Sequence, residues 1–289
     1  MNTPVSASKQ RTTRIAAVSY LNTTPMIQGV ETWRDAELIT AVPSRLADMV
    51  LTGDADIGLV SLADYARSGG QLSLLSCGMI GCDGPTLTVR VFSAVPPEAI
   101  TILHSDSDSH TSAVLAQVVL AEQHGVRPQI REFDARERSG AGDGSPEEVW
   151  PESLLLIGDK VVTDSPPAVR YPYQIDLGEA WHGMTGLPFV YAVWMCQRTR
   201  SNEGLIQTAA GLLDRQRRRN RSRLDHLVSE EARRRSWPGD LARQYVGELL
   251  RFHVDDRAKE AVGVFLEKAS TLELLPTSTP VWADWSGQP

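Results

Sequence analysis

The sequence predicts an α/β protein: two strand–helix units, the second carried inside the first, and a helical C-terminal return. Three observations carry that expectation. Short apolar runs alternate with helix-period segments from Arg14 to Val60, the alternation restarts at Ile100, and from Arg200 onward the pattern is helical.

The run Arg14 to Ser19 (R-I-A-A-V-S) is expected as a buried parallel strand. Thr23 or Thr24 before Pro25 reads as a helix N-cap with proline at the first helical position. Leu38 to Val42 is the next strand. Pro43-Ser44 opens a helix with Leu46, Met49 and Val50 on one face, Gly53 ends it, and Ala55 to Val60 is a third strand. After Leu72 to Leu75 comes a glycine-rich stretch, Gly78 to Gly84. Leu87 to Phe92 alternates as a strand, and Val95-Pro96-Pro97 breaks it. Ile100 to Leu103 begins the second unit, and S-D-S-D-S-H-T-S leads into a helix from Ala113 to Gln123. Ser139 to Pro151 is a loop by composition, Leu154 to Ile157 a buried strand, and Phe189 to Met195 an apolar run able to cross back to the first unit. Apolar stripes such as Leu205, Ala209, Leu212 and Leu213 mark the closing helices.

The 289 residues suit two domains rather than one core, and 42% hydrophobic against 22% charged residues excludes a largely disordered or fibrous chain. No apolar run approaches the roughly 20 residues that span a bilayer, so no membrane partner is expected. The first 13 residues lack a signal-type apolar stretch, and Cys77, Cys82 and Cys196 have no zinc-ligand spacing. A cytoplasmic setting and inert thiols are the expectation. Between Arg215 and Arg235 stand nine arginines against Asp225, Glu230 and Glu231. The net charge is −7 and no aromatics interleave, so solvated helix faces and last turns, not a nucleic-acid surface, are expected.

Three segments read as strand-to-helix turns rich in hydroxyls or amides: Asn22-Thr23-Thr24-Pro25, Ser109-His110-Thr111-Ser112 and Thr185-Gly186-Leu187-Pro188. Each is explained by capping alone; together they make a cleft for an anion plausible, since helix N-termini bind carboxylates without lysine or arginine. Gly158-Asp159 puts a carboxylate at the end of a buried strand, either a turn residue or one facing a ligand. The histidines form no metal-ligand spacing, and no phosphate-binding loop or nucleophile elbow is present.

The segments S-Y-L-N-T-T-P (Ser19 to Pro25), G-D-A-D-I-G-L-V-S (Gly53 to Ser61), D-G-P-T-L-T-V (Asp83 to Val89), S-H-T-S (Ser109 to Ser112) and L-L-I-G-D (Leu155 to Asp159) follow in order. With D-L-G-E-A-W-H-G-M-T-G-L-P-F-V-Y-A-V-W (Asp176 to Trp194) and Y-V-G-E-L-L-R-F from Tyr245, the chain resembles the chorismate dehydratases of the futalosine route to menaquinone over about residues 14 to 276. The resemblance implies a two-lobed periplasmic-binding-protein-like type II fold with C-terminal helices. A flexible N-terminus (1–13), a discontinuous domain (14–92 and 192–289) and an inserted domain (93–191) would hold ligand between them. It implies catalytic roles for Asn22 and Thr88 and substrate contacts at Ser19, Tyr20, Ser61, Gly84, Ser109, His110, Thr111, Ser112, Asp159, Thr185 and Gly186, with no metal or other cofactor. The resembled family carries serine where Thr88 stands and arginine where His110 stands.

The implied reaction removes water from chorismate to give 3-[(1-carboxyvinyl)oxy]benzoate. The matched segments offer no obvious histidine or paired-carboxylate base, so the substrate's own enolpyruvyl carboxylate is the expected base. Asn22 would hold that carboxylate or the departing hydroxyl. Alternatives are a solute-binding or sensory protein for an aromatic carboxylate, the later naphthoate-forming enzyme of the same pathway, or a divergent binder without turnover. The later enzyme carries a first-turn motif of the type S-P-C-P-N-D, against S-Y-L-N-T-T-P here. The sequence sets no oligomeric state.

Overall fold

The apolar run after Arg14 forms β1 (Thr13–Ala17), in which Ile15, Ala16 and Ala17 are fully buried. A computed structural model describes residues 11–106, 110–133 and 150–285. β1 pairs in parallel with β2 (Ala36–Thr40) on one side and β3 (Ile57–Ser61) on the other. The helix expected at Thr24 is a single turn, α1 (Thr24–Ile27). Thr23 does not cap it: its hydroxyl donates back to the Val18 and Tyr20 carbonyls, at 3.0 and 2.8 Å. α2 (Pro43–Thr52) starts and stops as expected, with Pro43 in its first turn and Gly53 at φ +82° closing it. The Ser61 hydroxyl accepts the Asp64 N–H at 3.1 Å and so caps α3 (Leu62–Arg67).

Most of the glycine-rich stretch, Gly78 to Cys82, lies within β4 (Leu72–Cys82), a strand buried along its whole length, and Asp83 and Gly84 follow it. A Cβ on Gly81 would stand 2.5 Å from the Phe189 carbonyl oxygen, and one on Gly78 would stand 2.7 Å from Met26 Cε. Close approach of the Phe189 backbone explains Gly81, whereas the Met26 side chain packs onto Gly78.

Residues 83–88 lead into a second sheet. Its members are β5 (Val89–Ser93), β6 (Ile102–Asp106), β7 (Gln129–Phe133), β8 (Ser153–Ile157) and β9 (Tyr173–Asp176), in the order β7-β6-β8-β5-β9. The helix of this unit is α4 (His110–His124), and a short α5 (Lys160–Thr163) follows β8. Most of the expected Ser139 to Pro151 loop lies outside the described residues.

α6 (Leu177–Thr185) leads back to β10 (Phe189–Gln197), which pairs antiparallel with both β3 and β4. The chain closes with α7 (Gly204–Arg221), α8 (Leu224–Arg234), α9 (Gly239–Gln244) and a π-helical turn at Tyr245–Leu249. β11 (Leu250–Arg251), α10 (Asp256–Thr271) and β12 (Trp282–Ala283) complete it. The first sheet runs β11-β4-β10-β3-β1-β2, with β12 beside β4. Both sheets are therefore mixed rather than wholly parallel.

Trp181, Phe189 and Phe265 meet edge to face at 5.1–6.1 Å, locking α6, β10 and α10 together. The arginine run is partly structural: Arg217 is buried, bonding Asp214 at 2.6 Å and the Cys77 carbonyl at 3.3 Å. Among the described residues no helix is long and apolar enough to cross a membrane.

Cys77, Cys82 and Cys196 are buried and unpaired. Burial pushes the Cys82 and Cys196 thiols up to about 12 and raises Cys77 as well. The native protein at neutral pH is expected to release no colour from Ellman's reagent, and all three thiols should react once guanidinium unfolds it.

Candidate active site

The segment between the two sheets is fixed by one carboxylate. Asp176 caps α6 by accepting the Gly178 and Glu179 N–H groups at 3.0 and 3.2 Å. The same carboxylate accepts the Thr86 and Leu87 N–H groups at 2.9 and 2.8 Å. Leu87 has φ +66°, a conformation costly for a residue with a Cβ and held here by that bond. Gly178 has no room for a side chain, because a Cβ would lie 2.5 Å from the Gly84 carbonyl oxygen. Together these contacts aim Thr86 and Thr88 into the space between the sheets.

That space is a cleft of about 740 Å³, its open mouth included. Its apolar wall includes Leu46, Leu59, Ile80, Val89, Ile157 and Leu250, a lining suited to a flat ring. Its polar groups include Tyr20, Asn22, Ser61, Thr86, Thr88, His110, Thr111, Ser112, Tyr191 and Tyr245. No Asp, Glu, Lys or Arg stands among the described lining residues. The groups available to an anion here are hydroxyls, amides and backbone N–H groups. Among the described residues no group of three His, Cys, Asp or Glu is arranged to hold a metal ion.

Asn22, on the 3-10 turn Leu21–Thr23 after β1, and Thr88, just before β5, meet at one phenol. Thr88 donates to the Tyr245 hydroxyl at 2.6 Å, and the Asn22 side chain hydrogen-bonds the same hydroxyl. Asn22 Oδ1 is buried with no partner. Tyr245 is 1% exposed and stacks on Trp237, with ring centroids 5.2 Å apart. Burial raises the Tyr245 phenol well above its ordinary value, so it stays protonated at working pH. Tyr191 is also raised by burial, with the Thr86 hydroxyl and Cys82 as neighbours.

On the opposite rim, contacts join α3 to α4. His110 Nδ1 lies 2.7 Å from Asp64 Oδ1, Asp64 accepts the Ser61 hydroxyl at 2.8 Å, and Thr111 Oγ1 accepts the Ala63 N–H at 3.1 Å. The His110 ring is thus turned toward Asp64 as well as bordering the cleft.

The structure brings Asn22, Thr88, Tyr20, Ser61, His110, Thr111 and Ser112 to one cleft and leaves other expected residues outside its lining. Ser19 is exposed and receives Arg235, whose guanidinium donates to its carbonyl at 2.7 Å. Gly84 packs on Gly178. Gly158 lines the cleft, whereas the Asp159 carboxylate faces the Leu21 backbone, Trp237 and Arg235, the last at 3.7 Å. Thr185 and Gly186 do not open a helix. They end α6, with Gly186 at φ +68° and the Thr185 hydroxyl bonded back to the Trp181 carbonyl. A glycine after a helical stretch is a stop signal, which overrides the reading as an anion-binding start. Ser109 lies outside the described residues. Tyr245, Tyr191 and Thr86 were not singled out from sequence, although each sits within a segment that carries the resemblance.

A family model for menaquinone biosynthesis matches residues 13–271. The chain belongs to that menaquinone biosynthesis family. Among curated proteins, the chorismate dehydratase of Thermus thermophilus is 28% identical over 248 residues, covering 80% of this chain and 85% of that one. A solved protein of Archaeoglobus fulgidus matches with a TM-score of 0.69 at 14% identity, covering 93% of this chain and all of that one (100%). The periplasmic aliphatic sulphonate binding protein of Escherichia coli matches with a TM-score of 0.57 at 12% identity, over 98% and 96% of the two chains. This family member therefore has the expected periplasmic-binding-protein-like fold with helices at its C-terminus.

Two expectations test this description. Replacing Asp176 by alanine strands buried N–H groups, so Asp176→Ala should lose about 3 kcal/mol or more in chemical denaturation. Asp176→Asn keeps one acceptor oxygen and should lose less. For Asp159, burial raises the carboxyl above its usual range despite Arg235. A raised folded-state value means that its contribution is intact in acid and lost as pH climbs through that value. The melting temperature of Asp159→Asn relative to wild type should therefore rise between about pH 4 and about pH 7.

Proposed function

We propose that this family member is a chorismate dehydratase, a hydro-lyase converting chorismate to 3-[(1-carboxyvinyl)oxy]benzoate in menaquinone biosynthesis. The observation that carries the proposal is the convergence of Asn22 and Thr88 on the Tyr245 hydroxyl in a cleft with an apolar wall. Family membership and the Thermus thermophilus dehydratase support it.

Aromatisation drives the reaction, so the protein has to orient the substrate and exclude water. The ring C–H proton passes to the substrate's enolpyruvyl carboxylate, and its electron pair enters the ring. The neighbouring C–O bond breaks, and the departing hydroxide takes the proton back from the enolpyruvyl carboxyl group to leave as water, which restores the carboxylate. Asn22 Oδ1 needs a donor, and a carboxylate ion has none. The departing ring hydroxyl is therefore its partner. Thr88 is placed to stabilise the charge that develops on the same oxygen. Holding the reacting groups in line contributes several kcal/mol, about 7–11 at the upper end.

We also propose that the two sheets mark two lobes closing on the substrate, a discontinuous lobe around an insert, with the crossings before β5 and before β10 rather than at 92/93 and 191/192, which fall inside those strands. His110, Thr111 and Ser112 at the start of α4 would then hold one substrate carboxylate, with Tyr20 and Ser61 facing it from the other lobe. No metal or organic cofactor takes part in this scheme. The three unpaired thiols suit a reducing compartment, and the proposed site of action is the cytoplasm.

Purified protein incubated with chorismate should yield the benzoate ether, identified by mass spectrometry; binding without loss of water would favour a solute binder instead. Asn22→Ala and Thr88→Ala should each lower kcat by about 10²–10³-fold. Thr88→Ser retains the hydroxyl and should stay within about tenfold of wild type. Normal turnover in both alanine variants would remove Asn22 and Thr88 from the mechanism.

A further inference from the structure

The first-sheet turn, the crossing segment and the C-terminal helices contribute one residue each to a buried hydroxyl cluster. Asn22 arrives from the turn after β1, Thr88 from the segment entering β5, and Tyr245 from the π-helical turn after α9. The tyrosine makes both side chains' mutual contact, with Thr88 Oγ1 at 2.6 Å and the Asn22 side chain on the same oxygen. Its ring is immobilised: it is 1% exposed and lies nearly parallel to Trp237, at 12°. π-Helical turns insert an extra residue into a helix and recur at functional sites. Here the turn carries Tyr245 at its first position, and Leu250 immediately after it also lines the cleft.

We propose that Tyr245 is the positioning residue of the dehydration, acting through Thr88 and Asn22 by a hydrogen bond whose direction can reverse. This rests on the functional reading above and adds a residue to it. A hydroxyl both donates and accepts, and its hydrogen rotates. In the empty cleft Thr88 donates to Tyr245. With substrate bound, the Tyr245 O–H donates to Thr88 Oγ1, which turns the Thr88 O–H toward the oxygen leaving the ring. No proton is transferred from Tyr245, and the phenol is neutral before and after. Meanwhile the Asn22 amide, held on the phenol by its donor side, keeps Oδ1 free for the substrate hydroxyl. Tyr245 thus makes an ordinary threonine and asparagine act as one oriented pair.

The test is steady-state turnover of chorismate by full-length Tyr245→Phe, which keeps the ring on Trp237 and deletes only the hydroxyl. The expected result is a kcat lower by about 10–100-fold with KM within about threefold, because the loss falls on the transition state. Thermal unfolding measured alongside should show a folded protein. A purely structural role would leave kcat of the folded variant unchanged, and that result overturns the inference. A second measurement uses Thr88→Val and the double variant. If Tyr245 acts through Thr88, adding Tyr245→Phe to Thr88→Val costs far less than it does alone; fully additive losses overturn it. Should Tyr245→Phe fail to fold, Thr88→Val cuts the same bond from its other end, and retained kcat there overturns the inference too. A wild-type protein that binds chorismate without dehydrating it overturns the functional reading and this inference with it. An active wild type with a fully active Tyr245→Phe overturns the inference alone.

Discussion

Asp176 is the constraint on which the site depends. One buried carboxylate collects the N–H groups of Thr86, Leu87, Gly178 and Glu179, joining the start of α6 to the segment that crosses between the sheets. A carboxylate accepts several such bonds at once, and charge-assisted bonds are the stronger kind. Without it, Leu87 has no reason to hold φ +66° and Thr88 has no fixed route to the cleft. The missing Cβ of Gly178 lets the Gly84 carbonyl come close enough for the arrangement to close. The reacting geometry is thus set by main-chain bonds to a residue that does not line the cleft.

For a chain of net charge −7, the proposed dicarboxylate substrate poses an electrostatic problem, and the cleft lining answers it locally. The cleft is lined by hydroxyls, amides and apolar side chains, with no carboxylate among the described residues to repel the ligand. The N-terminal turn of α4 adds backbone N–H groups on one side, a favourable place for an anion. The single turn α1 adds far less, being only four residues long. Asp64, the nearest acid on the rim, is already engaged by His110, Ser61 and Arg67. Acidic groups elsewhere on the surface are screened beyond about 10 Å and leave the cleft alone.

Much of the fold was legible because periodicity and punctuation agree where side chains dominate. α2 is bounded by Pro43 and Gly53, and β8 follows from the apolar run Leu154 to Ile157. Legibility failed where backbone packing decides the structure. Gly78 and Gly81 look like turn residues, yet they are strand residues against Met26 and Phe189, contacts that no local pattern reveals. Thr185-Gly186 looked like a helix start because α6, with its N-cap at Asp176, had not been recognised. Within the site, Asn22 and Thr88 were legible from the segments S-Y-L-N-T-T-P and D-G-P-T-L-T-V. Asp159 was not, because the ion pair that turns it away is with Arg235, far along the chain. Tyr245 was not singled out from the sequence, because its hydroxyl meets partners 157 residues away and further.

The long-range character of these contacts ties chemistry to closure. Thr88 and Gly158 belong to the second sheet's edge of the cleft, whereas Asn22, Tyr245 and Ser61 are presented from the first-sheet side. The Thr88–Tyr245, Asp64–His110, Ala63–Thr111 and Asp159–Arg235 contacts all cross that divide. Any motion that separates the sheets enough to admit a substituted ring breaks the hydroxyl cluster along with the rim contacts. The cluster is whole with the two sheets in contact across the cleft. In the proposed elimination no dedicated lid is required, because the Thr88–Tyr245 bond is itself one of the contacts that join the two sides of the cleft.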